Sequence, residues 1–221
     1  MDFFTPTVLK AMGTATIETL QMVVISGVLT VIVGLILGIL LHVTDKGGLH
    51  PIRWVNVLLS GIIINITRSI PFAILMVALI PVAAALVGVS LGPIAASVSL
   101  TIGTVPFFAR LVETALRDIN SGKVDAALVM GSTKMQTIRK VLIPEAMPGI
   151  VAATTTTVVT LIGYSAMAGL VGGGGLGRMA YTYGFTRYNF PIMLATIVII
   201  VLLVQLVQIV GDIIARKIDH R

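Results

Sequence analysis

Residues 172–177 read Gly-Gly-Gly-Gly-Leu-Gly. This satisfies the G-x-G-x-x-G pattern, which cradles a pyrophosphate when it joins a strand to a helix. Here it follows a long apolar stretch instead of a strand. The Lys-Ser/Thr pair of a phosphate-binding loop is also missing. The run reads as a flexible connection whose backbone needs positive φ, or as a mobile element of a gate. The three histidines, His42, His50 and His220, are too scattered for ligand spacing. There is no cysteine, which removes thiolate nucleophiles, cysteine metal sites and disulfides together. Ser165 has no histidine beside it to act as a base. The hydroxyls of Thr154–Thr157 are expected to bond the carbonyl four residues back, with a substrate role as the competing reading. No catalytic or metal-ligating set emerges, and the chain is not read as an enzyme.

The informative spacing lies further back. Asp125-Ala126-Ala127 is followed by Gly131, and that in turn by Val141-Leu142-Ile143-Pro144. This predicts two short helices meeting at a glycine corner, with Gly131 left-handed at the end of the first. Thr133 and Gln136 have the spacing of a capping box for the second. Val141 and Ile143 are expected to supply apolar contacts to the rest of the fold, and Pro144 to break the helix. A rigid elbow of this kind is suited to transmitting force.

The elements that carry the elbow follow from composition. Of 221 residues, 57% are hydrophobic and 11% charged, with mean hydropathy +1.06. A soluble domain carries about a quarter charged residues, so a water-facing surface is excluded. Disorder is excluded by the same numbers. The expectation is a single all-α, polytopic membrane domain over 1–221. Its five transmembrane helices fall at about 19–44, 62–87, 93–110, 148–171 and 190–212, each near the ~20 residues a bilayer requires. A β-barrel would show alternating strands of about ten residues. The stretch Trp54–Thr67 either lies along the interface or lengthens the second helix. Arg68 is expected at the entry of that span, snorkelling to headgroups. Gly34 and Gly38 form a G-x-x-x-G that packs helices within the chain or against a second copy.

Lys46, Arg53, Arg110, Arg117, Lys123, Lys134, Arg139, Lys140, Arg216, Lys217 and Arg221 fall on one side of such a topology. The positive-inside rule then puts the N-terminus outside, the C-terminus inside and the loop at about 111–147 in the cytoplasm. The first residues lack the charged n-region of a secretory signal, so the first span is expected to be retained. The net charge of +6 is topological, with no basic run to suggest nucleic acid. Span interiors hold almost no ionisable residue, so ion-coupled transport is poorly supplied and the energy is expected from a partner.

The spacing Asp125-Ala126-Ala127-x3-Gly131-x9-Val141-x-Ile143-Pro144 resembles the Glu-Ala-Ala signature of permease subunits in binding-protein-dependent ABC importers. Asp stands for Glu, Val for Ile and Ile for Leu. Arg68-Ser69-Ile70-Pro71-Phe72, Gly163-Tyr164-Ser165-Ala166-Met167, Gly172–Gly177 and Tyr181-x-Tyr183-Gly184 resemble the methionine-importer permeases of that superfamily. The resemblance implies a type I ABC importer permease fold in a bacterial inner membrane, working as a homodimer among membrane lipids. It implies two separate ABC ATPase subunits that bind ATP and Mg, no cofactor on this chain, and an extracytoplasmic methionine-binding lipoprotein. It assigns ATPase coupling to Asp125, Ala126, Ala127, Met130, Gly131, Thr133, Ile143 and Pro144. The pore or gate falls to Tyr164, Ser165 and Met167, where ordinary packing is the competing reading. D- and L-methionine are the implied substrates. Another amino acid or small polar solute is the alternative, followed by a passive channel.

Overall fold

The computed structural model describes residues 4–218, and of residues 62 and 63 the backbone only. His220 and Arg221 therefore lie outside the described residues. Among those described, every regular element is helical, as hydrocarbon demands of a chain whose backbone groups find no partner in lipid.

Helix α1 runs Pro6–Thr44, and α2 runs Arg53–Ser69 with a π-helical middle at Val57–Ile64. After Pro71 come α3, Phe72–Ala78, and α4, Ile80–Val87. Next are α5, Pro93–Arg117, and α6, Ser121–Val129. Helix α7 runs Lys134–Leu170, and α8 is Gly175–Met179 continued as a π-helical stretch, Ala180–Thr186. Helix α9, Phe190–Ile218, ends the described chain. Helices α1, α5, α7 and α9 are long and apolar enough to cross a membrane, and the broken pair α2–α3 makes a fifth span if counted as one.

Helix α1 begins 13 residues earlier than the hydropathy boundary at Thr19. The Thr5 hydroxyl accepts the Val8 N–H at 3.4 Å, and Pro6 occupies the first helical position, where its missing N–H costs nothing. Lys10 and Glu18 end the apolar run without ending the helix. The segment 54–67 is helical and belongs to α2, which meets α3 at a bend of 99°. Pro71 (φ −55°, ψ 128°) interrupts the helix before α3. A turn separates α4 from α5: Gly88 takes φ 75° and Pro93 opens α5.

Pro144 does not break a helix. Helix α7 is continuous from Lys134, and its π-helical turn Ile138–Leu142 immediately precedes the proline. Such a turn re-registers the backbone hydrogen bonds and so accommodates a residue without an N–H. The expected loop at 111–147 therefore shrinks to two short links, 118–120 and 130–133, between helical segments.

The described chain separates into two compact units. The first comprises the chain up to Leu29, with Ile70–Thr104 and Val158–Gln208. Its core holds Met22, Met76, Leu100, Leu161 and Ile162, with a second cluster of Met12, Leu176, Met179 and Ile192. The other comprises Thr30–Ser69, Val105–Thr157 and the chain from Ile209. Phe108, Val112, Leu116, Leu142 and Ile150 form its core. In this unit a Cβ added to Gly34 would stand 2.7 Å from the Phe108 ring, and one at Gly38 2.6 Å from the Val112 Cβ. The G-x-x-x-G thus lets α1 and α5 approach within the chain. Thr154–Thr157 each donate to the carbonyl four residues back, at 2.7–3.0 Å.

Candidate functional site

The elbow forms as its residues dictate. Asn120 caps α6, its side chain accepting the Gly122 N–H at 2.8 Å. At the other end Gly131 takes φ 86°. There the Ser132 N–H donates to the Ala127 carbonyl and the Gly131 N–H to that of Leu128. This is the 6→1 and 5→2 pair of a Schellman motif, which requires the left-handed residue that glycine supplies. Two residues on, Thr133 and Gln136 exchange the two bonds of a capping box, at 2.8 and 3.3 Å. Both ends of the corner are therefore fixed by hydrogen bonds, and the corner is rigid.

Its surface is divided. Ala127 is buried against the unit, while Asp125 and Ala126 face out. Val129 and Met130 are 88% and 80% exposed at the tip, and Met135 is 62% exposed. Two large apolar side chains at the apex of a hydrogen-bonded corner are an unpartnered knob. Ile143 is half-buried and Pro144 exposed. The residue carrying the apolar contact is Leu142, in one cluster with Ile138 and Ala146. Val141 and Ile143 were the expected contacts, on a short helix ended by Pro144; the helix instead runs on to Leu170. Along it the inward face repeats every three to four residues. Behind the elbow lies a cavity of about 400 Å³ lined by His42, Leu116, Arg117, Asp125, Lys134 and Leu142.

A charged cluster above the elbow escaped the sequence reading. Glu113 on α5 has its side chain 4% exposed, and it accepts from Arg110 and, at 2.6 Å, from Arg117. Arg117 also reaches Asp45, just past α1, at 3.3 Å, and Arg110 donates to the Ser60 hydroxyl of α2 at 3.2 Å. One carboxylate thereby gathers α1, α2 and α5 at the base of the elbow. Its partners stand at i−3 and i+4 on one helix, a spacing that could have been read from the sequence. The bridge from Lys123 to Glu145, at 2.6 Å between half-exposed side chains, joins α6 to α7 but contributes little energy.

The three gate candidates lie in the first unit, apart in sequence from the elbow. Tyr164 stacks on Phe72 with centroids 3.9 Å apart and planes 9° from parallel. Ser165 is buried, and its hydroxyl donates to the Ile162 carbonyl at 2.7 Å. Met167 is 46% exposed.

The glycine run nearby is not a flexible connection. Gly173–Gly177 are buried, and Gly172, Gly174 and Gly175 take positive φ. Glu18 accepts the Gly175 N–H at 2.6 Å and the Thr19 hydroxyl accepts the Leu176 N–H at 2.9 Å. Donors at the start of α8 are satisfied by a carboxylate and a hydroxyl from α1. Glu18 is the second acidic residue that sequence reasoning missed. Its signal was a carboxylate inside an otherwise apolar helical pattern. Among the described residues no group of three or more His, Asp or Glu side chains is placed to hold a metal ion.

Residues 31–220 match the family described as binding-protein-dependent transport system inner membrane component. The chain belongs to this family. A probable D-methionine transport system permease protein of Vibrio cholerae is 52% identical over 208 residues, covering 94% of this chain and 92% of that one. A methionine import system permease protein of Bacillus subtilis is 44% identical over 182 residues, 82% of each chain. Among solved structures, a chain of the MetNI methionine ABC transporter in an inward-facing conformation superposes with a TM-score of 0.95. It is 45% identical and covers 98% of this chain and 100% of its own. A more distant amino acid ABC transporter, at 19% identity and TM-score 0.78, shares the fold. As a member of this permease family the chain is a multi-pass inner-membrane transport component with a type I permease fold. It is not an enzyme. The elbow at 121–133 and the cluster around Glu113 lie in the stretch where the lysines and arginines concentrate.

Proposed function

We propose that this permease is the membrane conduit of a methionine importer, carrying D- and L-methionine into a bacterial cell by alternating access. The observation that carries the reading is full-length likeness to the methionine transporter chain, at 45% identity and TM-score 0.95. In this reading two copies of the chain form the pathway. Two ABC ATPase subunits bind ATP and Mg and drive it, and an extracytoplasmic methionine-binding lipoprotein delivers the substrate. The N-terminus lies outside and the C-terminus in the cytoplasm, so that the 118–133 segment meets the ATPases, between the basic residues Arg110, Arg117, Lys134, Arg139 and Lys140 that set this orientation.

Each elbow residue then has a task. Val129 and Met130 enter an apolar groove on the ATPase, and Asp125 and Ala126 flank that contact. Ala127, Gly131 and Thr133 keep the corner rigid, and Leu142, Ile143 and Pro144 pass its movement into α7. At the other end of α7, Met167 forms the gate, with its counterpart in the second copy, because a flexible thioether can plug and vacate an irregular constriction. Tyr164, stacked on Phe72, and Ser165, bonded within the helix, hold it in place. Met167→Cys pairs should cross-link in the resting state and separate when an ATP analogue is bound. Failure to cross-link in any state would move the gate elsewhere.

The function is tested by uptake. Cells lacking this chain but retaining its partners should lose ATP-dependent methionine uptake and regain it on complementation. Unchanged uptake in the deletion strain would refute the reading.

A further inference from the structure

The connection between α7 and α9 carries an aromatic and basic surface that the transport reading does not use. Helix α8 with its π-helical continuation spans 175–186 and has two faces. Leu176 and Met179 are buried, with Tyr183 packed beside them on Met12 and Ile192. On the other face Arg178, Tyr181 and Phe185 follow at helical spacing, all exposed. The Tyr181 and Phe185 rings stack at 5.2 Å. Phe185 is 64% exposed, and the next two aromatic residues, Tyr188 and Phe190, are 87% and 58% exposed. Three of the four tyrosines of the chain fall within these eight positions, 181–188. A water-facing connection has no physical reason to concentrate them.

Two observations say what covers this face. The first is charge. Arg178 and Arg187 are exposed, and among the described residues neither has a carboxylate partner. Arg187 lies over the Tyr183 ring at 4.8 Å, which fixes its guanidinium beside the aromatic cluster. No acidic residue occurs between Glu145 and Asp212, and Glu18, which reaches α8 at the Gly175 N–H, forms no salt bridge with either arginine. The second is continuity. Phe190 is the first residue of α9, a helix of 29 residues where about 20 span the hydrocarbon. The aromatic patch therefore adjoins the entry of a span. At that level the ring bodies of Tyr and Phe meet the acyl boundary and a guanidinium meets phosphate.

We infer that the 178–190 segment is a recognition surface for anionic phospholipid. Arg178 and Arg187 engage headgroup phosphates while Tyr181, Phe185, Tyr188 and Phe190 seat in the interface. Bound lipid would hold the connection in place at the ends of α7 and α9. The inference rests on the membrane placement of α9 and is independent of the transported substrate.

The chain has no cysteine, so Phe185→Cys provides a single site for a bimane label. The probe is the full-length labelled chain in phosphatidylcholine vesicles, doped at equal mole fraction with brominated phosphatidylcholine or brominated phosphatidylglycerol. Brominated lipid should quench the label, and the phosphatidylglycerol form should quench about twofold more strongly or better, as expected of two basic residues near the surface. Arg178→Glu with Arg187→Glu should bring that ratio to one while leaving quenching by phosphatidylcholine in place. The milder pair Arg178→Gln and Arg187→Gln should lower the ratio without adding negative charge. Three results would each overturn the inference. They are equal quenching by both lipids in the parent, a ratio that survives loss of both arginines, or quenching by aqueous acrylamide with none by brominated lipid. The last would mean that the face meets water and is free for a protein partner.

Discussion

Replacing Met130 by Glu, alone or with Val129→Glu, should abolish ATP-driven uptake, lowering it at least tenfold at unchanged membrane expression. The two residues are the most exposed large side chains of the elbow, and they sit on a corner whose hydrogen bonds leave it little freedom to recoil. Burying a charge in an apolar groove without a partner costs several kcal/mol, enough to prevent docking. The span cores are untouched, so insertion should survive. Gly131→Pro should give the same loss by a different route. It removes the N–H bonded to Leu128 and imposes φ near −65° where the backbone needs +86°. Normal uptake with Met130→Glu at normal expression would take the coupling role away from this corner.

The second large effect concerns Glu113. Its carboxylate is nearly inaccessible, whereas Arg110 and Arg117 are partly exposed. Removal of the arginines should therefore be worse than removal of the acid. Arg110→Ala with Arg117→Ala leaves a buried charge unpaired, a change worth about 3–5 kcal/mol. Glu113→Leu leaves two cations that water can still reach. The double arginine variant should lower the thermal unfolding midpoint by on the order of 10 °C. Adding Glu113→Leu to it should restore most of that loss, which is the signature of direct coupling in a mutant cycle. If the double variant unfolds with the parent, the cluster does not anchor α1, α2 and α5.

The division between what the sequence discloses and what it conceals follows the range of the interactions. Features set by neighbours a few residues apart were legible. The Gly131 corner, the Thr133–Gln136 capping box, the threonine back-bonds of α7 and the turn before Pro93 all close within six residues. Helix limits were less so, because hydropathy reports where lipid begins and not where hydrogen bonding stops. Helix α1 therefore starts at Pro6, and α7 runs unbroken through Pro144.

Least legible were contacts between distant segments. Glu18 meets Gly175 across 157 positions, and nothing in the glycine run announces that its free donors are answered from α1. The run looked mobile for that reason. Glu113 is intermediate. Its arginines stand at readable spacing, but its burial comes from packing that only the fold supplies. Of the gate residues, the sequence placed all three on one helix. The stacking of Tyr164 on Phe72 and the internal bond of Ser165 emerged only in three dimensions.

The most direct test of the central claim is methionine flux through the reconstituted assembly. The chain, its ATPase partner and the binding protein would be placed in proteoliposomes, with ATP supplied on the ATPase side and labelled methionine with the binding protein on the other. The account predicts methionine accumulation that requires hydrolysable ATP and the chain itself and that is lost with Met130→Glu. Accumulation without ATP, or equal accumulation in vesicles lacking this chain, would contradict it.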